Sequence, residues 1–248
     1  MMGAIDVTGL GFTYPDGKCA LTDVTVNVAP GESVALVGPN GAGKTTLFLC
    51  LAGVLAGQAA TMQVAGLDPR QPADRRRLPA HLGIIFQNSD DQLFSTTVGD
   101  DVAFGPLNLG VPPTEIPQRV ADALARVGLS GFADRVPFHL SGGEKRRAAI
   151  AGVLAMSPQI LLLDEPSMFL DPRGRRELMR LLQSLPITKI LASHDLDMLL
   201  DTCQRVLVLD EGRLVADGPA AAILGDARLM ETHGLEVPYR LRAPGLPT

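Results

Sequence analysis

Residues 33–46 read Ser-Val-Ala-Leu-Val-Gly-Pro-Asn-Gly-Ala-Gly-Lys-Thr-Thr, and this stretch decides the fold. Ser33 to Val37 is a compact apolar run between Pro30-Gly31 and Gly38-Pro39. Such a run predicts a strand buried on both faces. A helix pattern follows over about residues 44–55. Between the two, Gly38-Pro39-Asn40-Gly41-Ala42-Gly43-Lys44-Thr45-Thr46 satisfies G-x-x-x-x-G-K-[ST] without departure, in the strand, loop and helix order that gives the pattern its meaning. Glycines let backbone approach phosphates closely because no Cβ intervenes. N–H groups at the helix start, with the helix dipole behind them, favour an anion. Lys44 supplies a point charge to β- and γ-phosphates, and the Thr45 hydroxyl is placed to ligate Mg²⁺.

Working outward, residues 160–165 read Ile-Leu-Leu-Leu-Asp-Glu. Four apolar residues predict a central strand, and Asp164 leaves it at the carboxyl end, where ligands bind in open α/β sheets. There Asp164 can hold the hydration shell of Mg²⁺, and Glu165 can orient or deprotonate a water in line with the γ-phosphate. Further strands are expected over 4–8, 22–28, 82–86, 188–192, 206–209 and 213–216, with helices over 173–185 and 195–202. Alternation of this kind argues an α/β core with a parallel sheet. From Asn88 to about Ser157 the text is helical and loop-like, broken at Pro106, Pro112, Pro113 and Pro117, with helices over 117–127 and 143–155. This segment reads as an inserted helical subdomain. From Gly225 onward a short tail carries Pro238, Pro244 and Pro247 and is expected at the surface or at a partner contact.

Composition excludes several classes. The chain has 248 residues, with 22 Lys+Arg against 27 Asp+Glu and a net charge of −5, so it lacks the basic excess of a general nucleic-acid binder. Apolar residues make up 46% and mean hydropathy is +0.19, yet no window reaches the roughly 18 apolar residues that a spanning helix needs. The start carries Asp6 and no basic segment, which argues against a secretion signal. Cys19, Cys50 and Cys203 are odd in number and far apart, so they are expected as packed or partly exposed thiols in a reducing compartment. The basic runs Asp74-Arg75-Arg76-Arg77 and Lys145-Arg146-Arg147 are expected to be solvated helix faces. Four histidines without a ligand cluster offer no site for a transported metal.

Leu140-Ser141-Gly142-Gly143-Glu144 opens a predicted helix and resembles the signature motif of ABC-type ATPases. The order of phosphate loop, signature and acidic strand is similar to that family over about residues 3–222. The resemblance implies a P-loop NTPase core with an N-terminal antiparallel β-subdomain and an inserted α-helical subdomain over about residues 88–157. The ATPase domain would span 1–222 and a short tail 223–248. Residue by residue, it implies that Tyr14 stacks on adenine, although an edge-strand role for Tyr14 stays open. Residues 38–46 would hold phosphate, and Ser141, Gly142 and Gly143 would contact nucleotide across a dimer. Gln87 would sense Mg²⁺ and the attacking water, His194 would contact the γ-phosphate, and Asp171 would communicate between paired chains. Ser167-Met168-Phe169 is bulkier than the small residues common in the family at that place. Two such chains would pair head to tail around ATP and Mg²⁺, with Lys44, Gln87, Glu165 and His194 serving hydrolysis.

The stretch Phe86-Gln87-Asn88-Ser89-Asp90-Asp91-Gln92-Leu93-Phe94-Ser95 and its continuation to Pro106 are similar to ATPases of energy-coupling factor importers. His139, Lys145 to Gly152 and Ala216-Asp217-Gly218-Pro219 agree with that likeness. It implies a membrane coupling subunit, a membrane substrate-binding subunit, no nucleic acid, and a peripheral place on the cytoplasmic face of the membrane. Leu93, Phe94 and Val98 would line a groove for the coupling partner or simply pack the helical subdomain. Residues 230–238 resemble tails of the cobalt and nickel subfamily, so the expected cargo is cobalt or nickel, with biotin or another vitamin as the alternative. A soluble ABC ATPase of DNA repair or translation is a further alternative, although 248 residues hold neither a long coiled coil nor a second cassette.

Overall fold

The computed structural model describes residues 3–242. In chain order the elements begin with β1 (Ile5–Thr13), β2 (Cys19–Val28), β3 (Ser33–Val37), α1 (Lys44–Leu51), β4 (Thr61–Val64) and α2 (Pro72–Arg77). There follow β5 (Leu82–Ile85), α3 (Val98–Asn108), α4 (Ile116–Arg126), α5 (Gly142–Leu154), β6 (Ile160–Asp164) and α6 (Pro172–Ser184). The chain ends with β7 (Thr188–Ala192), α7 (Leu196–Thr202), β8 (Arg205–Asp210), β9 (Arg213–Pro219), α8 (Ala220–Gly225) and α9 (Ala227–Thr232). It divides into two compact units, one formed by residues 1–78 and 187–248, the other by residues 79–186.

In the first unit, β1, β2 and β4 make an antiparallel sheet in the order β2-β1-β4. Ile5 lies opposite Val28 on one side and Val64 on the other. Alternation along β2 buries Val24, Val26 and Val28 while Thr25 and Asn27 face outward, the pattern of a sheet with one wet face. A second sheet places β3 between β7 and β8, both parallel to it. Every residue of β3 is buried, as its apolar run requires. β9 adds an antiparallel edge to β8 and alternates exposed and half-buried positions, so this sheet is not wholly parallel.

The second unit pairs β5 with β6 in parallel, Leu82 opposite Ile160 and Ile85 opposite Leu163. α5 packs on β5 so closely that a Cβ at Gly83 would lie 2.1 Å from Val153 Cγ1. α3, α4 and α5 pack against one another. α3 was not expected from the sequence, because Pro106 reads as a break. Thr97 N-caps the helix by accepting from Asp100 N at 3.1 Å, and Val98 and Val102 are buried. Pro106 sits within its last turn, where the helix tolerates it under tertiary packing.

Two expectations change here. The run Lys145-Arg146-Arg147 is no solvated face: Arg146 is 1% exposed. The tail also does more than cover the surface. Met230 in α9 and Leu224 in α8 are fully buried, His233 Nδ1 lies 2.8 Å from Asp210 Oδ2, and Arg240 donates to Asp197 Oδ1 and Asp201 Oδ1 on α7. Pro244 and Pro247 lie outside the described residues. Cys50 and Cys203 are buried, which pushes both thiols up to about 12 and leaves them unreactive, while Cys19 is exposed. Among the described residues no helix is long and apolar enough to cross a membrane. Because Met230 is a core residue, Met230→Ala should cost about 2–5 kcal/mol in urea unfolding; a loss within about 0.5 kcal/mol would show that the tail is surface.

Candidate functional site

In the first unit the chain leaves β3 directly into the phosphate loop. Gly38 lies so close to β8 that a Cβ there would come within 2.0 Å of the Leu209 carbonyl oxygen. Gly43 has φ +106, and its Cβ would meet the Ala20 carbonyl at 2.6 Å. Two of the loop glycines are therefore demanded by protein neighbours, before any phosphate is considered. Gly212 N donates to Ala42 O at 3.0 Å, which ties the loop to the turn after β8. The Lys44 ammonium, itself buried, donates to Gly38 O at 2.6 Å and Pro39 O at 3.0 Å and so closes the loop on itself.

Residues around this loop fit an anion. Gly43 is the N-cap of α1 and offers no side-chain cap, and the first turn carries no acidic residue. Its positive end is left to backbone N–H groups and Lys44, the donor set of a phosphate cradle. Thr45 is exposed on that first turn, whereas Thr46 is buried and shares a hydrogen bond of 2.9 Å with the Tyr14 hydroxyl. Tyr14 is also held edge-on by Phe12, with ring centroids 4.9 Å apart. His194 follows β7, and its Nε2 lies 3.1 Å from Asn40 Oδ1 in the loop, with Nε2 the donor when it carries the proton. That contact gives Asn40 an orienting role that the motif alone does not reveal.

In the second unit, Asp164 ends β6 buried at 4% exposure, and Glu165 follows with φ +45. Gln87 is exposed after β5, and its Nε2 donates to Met168 Sδ at 3.4 Å. The bulky Met168 therefore touches the glutamine, and Phe169 beside it is 74% exposed with φ +64. Asp171 N-caps α6, its Oδ1 accepting from Gly174 N at 2.6 Å. Ser141 N-caps α5 in a capping box. Its hydroxyl accepts from Glu144 N at 3.3 Å, and its N–H donates to Glu144 Oε2 at 2.8 Å. The Ser141 N–H and, beside it, the Ser141 hydroxyl donating to the same Oε2 hold the Glu144 carboxyl below its usual range. Gly142 is exposed beside Ser141. Each unit taken by itself carries an oxygen donor of the hard kind that Mg²⁺ prefers, the exposed Thr45 hydroxyl in the first and the Asp164 carboxylate in the second. Among the described residues no group of three or more His, Cys, Asp or Glu could hold a metal.

Arg146 is the residue that a reading by charge alone misses. Its Nε donates to Pro166 O at 3.1 Å and its Nη2 to Asp164 O at 3.3 Å, and it donates also to the carbonyls of Phe86 and Glu165. Burial pushes the guanidinium down to about 10, against the pull of the Asp164 and Glu165 charges, so it stays charged at neutral pH. The signal was helical period: Arg146 shares a face with the buried Ile150 and Val153.

A groove of about 320 Å³ lies within this unit, lined by Pro79, Leu93, Phe94, Phe104, Val153 and Met156 among others. Phe94 and Phe104 meet edge to face at 4.9 Å and are 63% and 51% exposed. Val98 is wholly buried in the helical core and does not line the groove with Leu93 and Phe94.

A strand, phosphate loop and helix, an acidic strand end and a serine-capped signature helix define a nucleoside-triphosphatase of the ATP-binding cassette class. Residues 21–168 match the ABC transporter family, and the chain belongs to it. Within that family it is an ATPase of the energy-coupling factor type. It is 46% identical over 94% of its length, and 76% of the relative's, to the energy-coupling factor transporter ATP-binding protein EcfA of Methanothermobacter thermautotrophicus. It is 53% identical, over 95% of its length and 90% of the relative's, to a Streptomyces coelicolor protein named for ABC transporter ATP binding. Among solved structures it resembles cbiO1 of Clostridium perfringens, described as part of the ABC transporter complex cbiONQ. That match has 37% identity, a TM-score of 0.80 and 94% coverage of both chains.

Proposed function

We propose that this chain is the ATP-hydrolysing subunit of an energy-coupling factor importer that takes up cobalt or nickel through membrane partner subunits. The observation that carries the proposal is the full-length likeness to cbiO1, which is described as part of a transporter complex. The resemblance of residues 230–238 to cobalt and nickel subfamily tails supports the choice of metal over a vitamin. The chain works as one of a pair, at the cytoplasmic face of the membrane and peripheral to it.

In this reading Lys44 and the backbone N–H groups of residues 38–46 bind the β- and γ-phosphates, and Tyr14 stacks on the adenine. Thr45, Asp164 and Gln87 would hold Mg²⁺, which when bound would neutralise charge on the phosphoryl oxygens. Glu165 orients the attacking water and takes its proton. His194 contacts the γ-phosphate, and its Asn40 partner sets the ring. Ser141, Gly142 and Gly143 serve the nucleotide of the second chain. The Ser141 hydroxyl also donates to Glu144 at 2.8 Å, and it must turn away from that carboxylate to reach a phosphate. Asp171 communicates across the pair. The apolar groove at Phe94 and Phe104 receives a helical segment of the membrane subunit, in the manner of an amphipathic helix in a groove.

Two measurements test this. Glu165→Gln should retain ATP binding and trap a closed, ATP-loaded pair of chains, seen as a slower-sedimenting monomer pool converted to dimer by ATP. Steady-state turnover should fall by about 10²-fold or more, and full turnover in the variant would sink the catalytic assignment. A strain deleted for the gene should lose uptake of radiolabelled cobalt or nickel and keep uptake of biotin. Retained metal uptake with lost vitamin uptake would replace the proposed cargo.

A further inference from the structure

A charged side chain is tolerated in the interior only where its donors are met. Arg146 meets them with main-chain carbonyls. The carbonyl of Phe86 comes from the residue immediately before Gln87, and those of Asp164, Glu165 and Pro166 come from the turn that leaves β6. One planar group with fixed donor directions therefore gathers the two backbone segments that carry the exposed glutamine and the acidic pair.

The turn it holds is strained. Glu165 lies in the left-handed region at φ +45, which disfavours a residue with a side chain and persists only where the surroundings over-determine it. Three successive carbonyls converging on Arg146 supply that over-determination. Glu165 then leaves the backbone in one direction, and Gln87 is set by its own tethered neighbour. A lysine offers three donors from one point and cannot span these carbonyls as the fork does. A glutamine is shorter and neutral.

We propose that Arg146 is a positioning residue for ATP hydrolysis, fixing the backbone of Glu165 and Gln87 so that both side chains are held for the attacking water. Its buried side chain is engaged by main-chain carbonyls. This inference rests on the reading of Glu165 as the group that orients that water. It gives the signature helix a second duty, since the helix that opens with Ser141 also carries, from its buried face, the anchor of the hydrolytic turn.

The test uses the full chain as Arg146→Gln, Arg146→Lys, Glu165→Gln and the double variant Arg146→Gln/Glu165→Gln. ATP binding, steady-state kinetics and thermal unfolding are followed together. Arg146→Gln should bind ATP within about threefold of wild type while kcat falls about 10²-fold, the cost of a small misplacement at a reacting centre. Arg146→Lys should recover part of that loss. In the Glu165→Gln background, adding Arg146→Gln should change the residual rate by less than about twofold, because the two act in one step. Wild-type kcat in folded Arg146→Gln overturns the proposal, as does a further large fall in the double variant. Parallel loss of ATP binding and of cooperative unfolding in both single variants at Arg146 also overturns it, since a purely structural role would do that. Should Arg146→Gln not fold, Arg146→Lys carries the same kinetic comparison. Full turnover in Glu165→Gln would instead defeat the underlying reading of Glu165.

Discussion

The burial of β3 between two parallel neighbours is the constraint on which the nucleotide half of this molecule depends. A strand with no wet face must consist of small and branched apolar residues, and it must deliver the chain to its end in a fixed place. The Leu209 carbonyl at the end of β8 then sits where any side chain at position 38 would have to go. A glycine is forced there, a second is forced at position 43 by the Ala20 carbonyl, and α1 begins without a side-chain cap. The loop is shaped by its protein neighbours, and the positive end of α1, with no side-chain cap and no acidic residue in its first turn, suits an anion. Lys44, folded onto the carbonyls of Gly38 and Pro39, closes the loop on itself.

The other unit solves a different problem with a buried cation. The turn after β6 has an acidic residue in a left-handed conformation, and carbonyls that point inward need a donor. Arg146 supplies it from the buried face of the signature helix. A hydrophobic residue there would leave several carbonyls unmet, each at the cost of an unsatisfied buried polar group. The capping box at the start of the same helix shows a similar economy: Ser141 and Glu144 satisfy one another's backbone and side-chain groups.

Much of this was legible in the sequence because the signals were local. The phosphate motif, the buried strand before it, the acidic strand end and the signature each lie within one element or one turn, and the register of hydrophobic residues placed them. The features that escaped are those in which a distant neighbour outweighs local propensity. α3 is a helix although Pro106 argues for a break, because Thr97 caps it and Val98 and Val102 bury one face. Arg146 lies in a run of three basic residues that reads as a wet surface, and only its alignment with Ile150 and Val153 places it inside. The tail looked peripheral because its prolines and charges dominate its text, while Leu224 and Met230 hold it to the core. The orienting contact from Asn40 to His194 joins residues 154 apart and leaves no trace in spacing.

The central claim is that the loop closed by Lys44 binds ATP for hydrolysis. Phosphate release from Mg·ATP by the purified full chain, set beside that of Lys44→Ala with its folding checked by thermal unfolding, tests it most directly. The account predicts turnover in the wild-type chain and a loss of about 10²-fold or more in the folded variant, since a charge aimed at the transferring phosphoryl group is removed. Equal turnover by a folded Lys44→Ala would contradict it.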